Sequence, residues 1–264
     1  MIFFTSCSLK KLYGFSIAGS AGWSSGQVTI SMVVGAMMIL WFVLRQFNLK
    51  QPILEFRVFK YKVFTISTIL GMITFMVMIG AAVMLPLYMQ TMLGFSAFES
   101  GLALLAGAVL QGIMNPFSGK LFDLYGAKYL AIIGLGLIVV TTFMFAFLTE
   151  ETSFMYISAV HAIRMLGVAM AMMPVTTAGL NVLPMELMAH GTAVNNTLRQ
   201  VSGAIGTALP ITIMTTAAIP EEGVLGMIHG VNISFMVAGV IAIVGLALSF
   251  FLKDRESGRG IKIK

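Results

Sequence analysis

Apolar positions along this chain fall in long unbroken runs rather than in alternation. Val28 to Leu44 and Val63 to Tyr88 carry no charge over 17 and 26 residues. Gly101 to Gly119, Tyr129 to Leu148 and Gly230 to Leu252 are likewise uncharged, while Phe154 to Leu180 and Gly191 to Ile219 each hold one arginine, Arg164 and Arg199. A helix needs about 20 apolar residues to cross the hydrocarbon core of a bilayer, so these seven runs predict seven spans. A membrane β-barrel would show short segments of alternating polarity instead. The predicted fold is therefore all-α, a polytopic membrane helical bundle. The first apolar stretch is weaker: Leu12 to Ala21 rises only about 15 Å, half the core thickness. It reads as a partial helix, about 12–22, ahead of a full one at about 28–46. A secretory signal is a poor alternative, because no soluble mature domain follows Ala21.

Composition agrees with this pattern and excludes a soluble globule. Hydrophobic residues make up 58% of the 264 and charged ones 10%, against roughly 25% charged in soluble domains. The placement of the charge says more than its amount. Fourteen of the 16 basic residues lie on one side: Lys10 and Lys11, the five from Arg45 to Lys62, Lys120 and Lys128, and five between Lys253 and Lys264. The alternate loops contain none and hold Glu99, Glu150, Glu151, Glu221 and Glu222 instead. Basic loops resist translocation, so the basic side and the C-terminus are expected in the cytoplasm of a plasma-membrane protein. The high pI of about 9.6 then records topology. Nucleic acid is not an expected partner, since the charge is divided among separate loops. One cysteine, Cys7, permits no internal disulfide and no zinc pattern. No phosphate loop, nucleophile elbow or paired carboxylates are present, so neither enzyme activity nor a cofactor or metal is expected.

The last six spans are followed through a loop with a pattern of its own, Gly119-Lys-Leu-Phe-Asp-Leu-Tyr-Gly-Ala-Lys128. Glycines allow a tight turn between helices, and an aspartate there can meet a helix N-terminus or a basic partner. With Gly119, Leu121, Asp123, Gly126 and Lys128 in place, the loop resembles the cytoplasmic G-x-L-x-D-R-x-G-R-K pattern of the major facilitator superfamily. Leu124 and Ala127 replace two of its basic positions. The stretches Tyr13 to Trp23, Leu85 to Leu105 and Asn195 to Leu209 further resemble the fourteen-helix drug:proton antiporters of the EmrB/QacA type. The resemblance implies that 1–48 is the remnant of an extra helix pair, 49–62 a basic cytoplasmic linker, 63–252 the six-helix C-terminal half of a transporter and 253–264 a basic tail. It also implies that an N-terminal half is missing, to be supplied by another chain or a second copy.

Arg164 and Arg199 are the only charges deep within predicted spans. A charge at mid-membrane costs about 3 kcal/mol on insertion scales, so such residues face a cavity or a partner. Both are candidates for the transport pathway, Arg199 together with Asn195 and Gln200, which accompany it on the same run. Either arginine could instead be structural, Arg164 by bonding helix carbonyls and Arg199 by snorkelling to the interface. His161, one turn before Arg164, reads as a core residue. The resemblance implies efflux of drugs or other hydrophobic small molecules coupled to protons, with the lipid bilayer, the substrate and protons as partners. An inactive remnant or non-transporting scaffold, and a permease for metabolite uptake, are the alternatives.

Overall fold

A computed structural model describes residues 55–252 and the isolated Met37, which is helical. The expected helix pair of 1–48, apart from Met37, most of the 49–62 linker and the 253–264 tail lie outside the described residues. The chain divides into two compact units between Phe56 and Arg57. In the second, five α-helices follow a 3-10 turn at Phe56–Lys60: α1 (Lys62–Leu87), α2 (Ala97–Met144), α3 (Phe154–Asn181), α4 (Met185–Ala217) and α5 (Val224–Ser249). The described residues contain no strand, and the architecture is an all-α polytopic membrane bundle.

Local chemistry sets the helix ends. Ser96 opens α2 with a reciprocal cap in which its hydroxyl accepts from the Glu99 backbone N–H while the Glu99 carboxylate accepts from Ser96. Such a box satisfies two of the amides left over in a first turn. Ser153 caps α3 by accepting from the Tyr156 N–H. At the far end of α1 the ladder widens into a π-turn at Tyr88–Met92, directly after Pro86 has removed one of its donors. Gly94 and Gly223 take positive φ and let the chain reverse.

At 48 residues α2 would be about 72 Å long if straight, more than twice the hydrocarbon thickness. Gly126 resolves the excess. With φ 81° and ψ 173° it adopts a conformation that is essentially open to glycine alone, and it divides α2 into limbs at 97–125 and 127–144. Both limbs pack along α3, the first at Gly107 against His161 and the second at Gly134 against Gly167. Six membrane-length segments result. The expected ten-residue loop from Gly119 to Lys128 is thus helical on both sides of a single broken residue. Likewise α4 starts at Met185, six residues before the apolar run, because Glu186 and His190 prolong the helix without prolonging the apolarity.

Two apolar clusters fill the bundle. One gathers Leu85, Tyr88, Met89, Phe145 and Phe235 near the end that carries the glutamate loops. The other joins Leu70, Val77, Leu135, Ile138 and Val168 toward the lysine-bearing end. The acidic end is also tied by polar bonds: Tyr88 donates its hydroxyl to the Thr149 carbonyl, and the Asn232 carboxamide both accepts from the Leu148 N–H and donates to the Leu148 carbonyl. One turn of chain after α2 is thereby fastened to α1 and α5.

Candidate functional site

Arg164 occupies the middle of α3 and is fully buried. Its Nη1 donates to the Thr142 hydroxyl on the second limb of α2 at 2.5 Å, and its Nη2 donates to the Val77 carbonyl of α1 at 2.8 Å. Three segments therefore meet on one guanidinium. Its Nε has no hydrogen-bond partner. A cavity of about 20 Å³, room for one water, lies beside Arg164 and is lined by Gly80, Gly206, Pro210 and Ser234 among others. Pro210 cannot donate to the carbonyl of Gly206 four residues earlier. This corner therefore combines a cation, an acceptor released from its helix ladder, and the Ser234 hydroxyl, which donates to the Pro210 carbonyl.

Tight crossings hold these groups in place. A Cβ built on Gly206 would collide with the Met76 carbonyl oxygen, and one on Gly80 would lie 3.1 Å from Pro210 Cγ. Gly203 and Gly206 give α4 a packing face: Gly203 meets Phe75 and Gly206 meets the α1 backbone. His161 lies against Gly107, buried with its Nδ1 unpartnered. Ser118 crosses from the first limb of α2 to the Ala169 carbonyl of α3.

Arg199 sits 14 residues into α4. Its guanidinium lies 4.9 Å from the centre of the Phe75 ring, and its Nη2 approaches the Met172 sulfur at 3.8 Å. Unlike Arg164 it is only half-buried, although its Nε is enclosed without a partner. Asn195 and Gln200 part company around the helix. Asn195 is buried toward α1, where its Oδ1 comes within 3.9 Å of a Cβ built on Gly71, whereas Gln200 is exposed along with Asn196. Arg164 with Thr142 and Val77 forms one group; Arg199 with Phe75 and Met172 forms another.

The glycine-aspartate pattern lies at the lysine-bearing end. Gly119 and Asp123 line an open cleft of about 260 Å³ with Phe122 and, from α3, Met173, Pro174, Thr177 and Asn181. Asp123 is exposed at its mouth, Leu121 is half-buried, Gly126 forms the break that follows, and Lys128 lies in the first turn of the second limb. Among the described residues no group of three or more histidines, cysteines or acids is placed to hold a metal ion.

Against known proteins, the Major Facilitator Superfamily pattern matches residues 12–207. This chain belongs to that superfamily. Its similarity extends to the "Uncharacterized MFS-type transporter YcnB" of Bacillus subtilis, 50% identical over 93% of this chain and 52% of YcnB. The "Lincomycin resistance protein LmrB" of Listeria monocytogenes is 41% identical over 93% of this chain and 54% of its own length. The "Multidrug export protein EmrB" of Escherichia coli is 28% identical over 73% of this chain and 38% of its own length. The chain spans about half the length of the first two. As a major-facilitator chain with membrane-length helices it is an integral membrane protein. Sequence reading singled out Arg164 but not the Thr142 hydroxyl or the Val77 carbonyl that receive it, because a mid-helix threonine and a backbone oxygen carry no pattern. Nor did it find the Asn232 clamp, whose partner lies 84 residues away.

Proposed function

We propose that this chain supplies the C-terminal six helices of a plasma-membrane transporter that exports hydrophobic, drug-like compounds in exchange for protons, its lysine-bearing end and C-terminus facing the cytoplasm. The observation that carries the reading is the 41% identity, over 93% of the chain, to a protein named for lincomycin resistance. The geometry is in keeping with it. A bundle whose α4 carries a proline beside a water-sized cavity, with a buried cation lining the same cavity, has the kind of interrupted hydrogen-bond ladder that transporters place at mid-membrane. The helices that complete the transporter correspond to the part of YcnB and LmrB that the chain does not match. Proton uptake belongs to that part as well, since the only acids in the described α-helices, Glu99, Asp123 and Glu186, sit at span ends.

Efflux-deficient cells carrying this chain together with the unmatched part of YcnB test the proposal. Loaded with a fluorescent hydrophobic dye, they should lose it faster than control cells, and a protonophore should abolish the difference. Dye retention equal to that of control cells would overturn it.

A further inference from the structure

The exposed side of α4 differs from the other exposed surfaces of the bundle. On the first limb of α2 the outward side chains include Leu102, Leu105, Val109 and Ile113 with a single carboxamide, Asn115, and on α5 they include Val240, Ile243 and Val244. These suit lipid tails. On α4, Thr192, Asn196 and Gln200 repeat every fourth residue and are all exposed. One-turn spacing stacks them in a single stripe. The Thr192 hydroxyl turns back to the Met188 carbonyl, but the carboxamides of Asn196 and Gln200 have no hydrogen-bond partner among the described residues.

Depth makes this arrangement informative. The 33 residues of α4 span about 50 Å against a hydrocarbon core of about 30 Å, so a centred helix projects about 10 Å at each end. Gln200 lies 15 residues from Met185, about 22 Å along the axis and within the core. An unpaired primary amide in hydrocarbon costs at least a few kcal/mol, and two on one stripe cost twice that. Lipid is therefore excluded as the neighbour of this face.

We propose that the Thr192–Asn196–Gln200 stripe of α4 borders a water-filled passage and offers neutral hydrogen-bond donors and acceptors to the compound that passes. Arg199, three residues from Asn196 and half-buried, flanks the stripe with its guanidinium held against Phe75 and Met172, so the groups of the stripe itself are all neutral. The compounds suited to this wall are amphipathic and uncharged at the contact, with hydroxyl, amide or ether groups for the carboxamides and apolar surface for the flanking Val201 and Ile205. The identity of the solute rests on the efflux reading; the water along the stripe does not.

Thiol chemistry tests this without any transport. Methanethiosulfonates react with the thiolate, which exists in water and not in hydrocarbon. Cys7 is the chain's single cysteine, so Cys7→Ser gives a clean background for Asn196→Cys, Gln200→Cys and two apolar-face controls, Ile113→Cys and Ile243→Cys. The full chain in native membranes is treated with 2-(trimethylammonium)ethyl methanethiosulfonate, and labelling after SDS denaturation reports the thiol present in each variant. The expected result is that the thiols introduced by Asn196→Cys and Gln200→Cys react at least tenfold faster than both controls in membranes while all four react alike in SDS. Rates at positions 196 and 200 equal to the controls would overturn the proposal, and so would protection caused by polar helices of a partner lying on the stripe. If labelling is fast and dye efflux absent, the passage stands and the efflux reading falls.

Discussion

Helices α3 and α4 lie in one bundle, each with one arginine and one proline in its interior, yet they are built to opposite ends. Along α3 the neighbours interlock: a Cβ on Gly134 would sit 2.6 Å from the Gly167 carbonyl, and one on Gly167 would sit 2.7 Å from the Gly134 carbonyl. Arg164 in the same helix spends both its terminal nitrogens on other segments. On α4 the glycines also admit close neighbours, but the adjoining face is polar and open, and Arg199 rests on an aromatic ring and a thioether. The difference teaches that a membrane arginine is not one kind of residue. Whether it fastens helices or buttresses a passage depends on what its guanidinium reaches, and substitutions that remove those contacts should separate the two helices in energy.

Arg164→Ala should have the largest effect. It deletes a long side chain at full burial and strands the Val77 and Thr142 acceptors, a combination of cavity and lost charged hydrogen bonds worth about 3 kcal/mol or more. Thermal unfolding in detergent should fall by many degrees. Arg164→Lys should recover only part of this, since an ammonium lacks the planar fork that serves two acceptors on different helices. Equal stability of Arg164→Ala and the parent would show that α3 is not fastened through this residue.

Gly167→Ala comes next. Its Cβ would meet backbone, which cannot swing aside, so α2 and α3 must separate along their crossing at a cost of about 1–3 kcal/mol. Gly203→Ala on α4 is the matched control, because there the obstacle is a side chain, the Phe75 ring 2.7 Å away, rather than backbone. The loss of unfolding free energy should be clearly smaller at 203 than at 167, and the reverse order would contradict the distinction between the two helices.

Gly126→Ala tests the feature that both sequence and structure mark. Its conformation is costly for any residue with a Cβ, about 1–3 kcal/mol. The change should lower stability by about the size of the smaller packing losses and, by straightening α2, should open the cleft between Asp123 and Asn181. Cross-linking of cysteines placed at 123 and 181, with Cys7 replaced, would report that opening as a lower yield.

How much of this was legible beforehand depended on scale. Runs of twenty apolar residues are coarse, and all six described segments stood out, because a bilayer requires each helix to satisfy its own backbone within apolar side chains. The Gly126 break was legible as a glycine in a turn pattern, though its narrowness was not: a loop was expected where one residue suffices. Faces were not legible. Asn195 and Asn196 differ by one position and about 100° around the helix, and runs that are apolar on nearly every side offer no periodicity to say which of two adjacent amides turns inward. Asn195 was singled out as a pathway residue, but it is Asn196 that shares the open stripe with Gln200. The start of α4 escaped for a related reason, since hydropathy marks where lipid contact begins and not where the helix does.

Arg199→Ala should produce the smallest loss and discriminates most finely. A cation resting on Phe75 at partial exposure contributes about 0.5–1 kcal/mol, and removing the charge also relieves the cost of holding it partly out of water. The two effects oppose each other, leaving a net change of well under about 1 kcal/mol. Phe75→Leu should behave alike, and combining it with Arg199→Ala should cost less than the two single changes added, since both delete one contact. Additive losses in that cycle, or an Arg199→Ala loss approaching that of Arg164→Ala, would mean that the α4 arginine holds the bundle together after all, and the contrast between a fastened α3 and an open α4 would have to be abandoned.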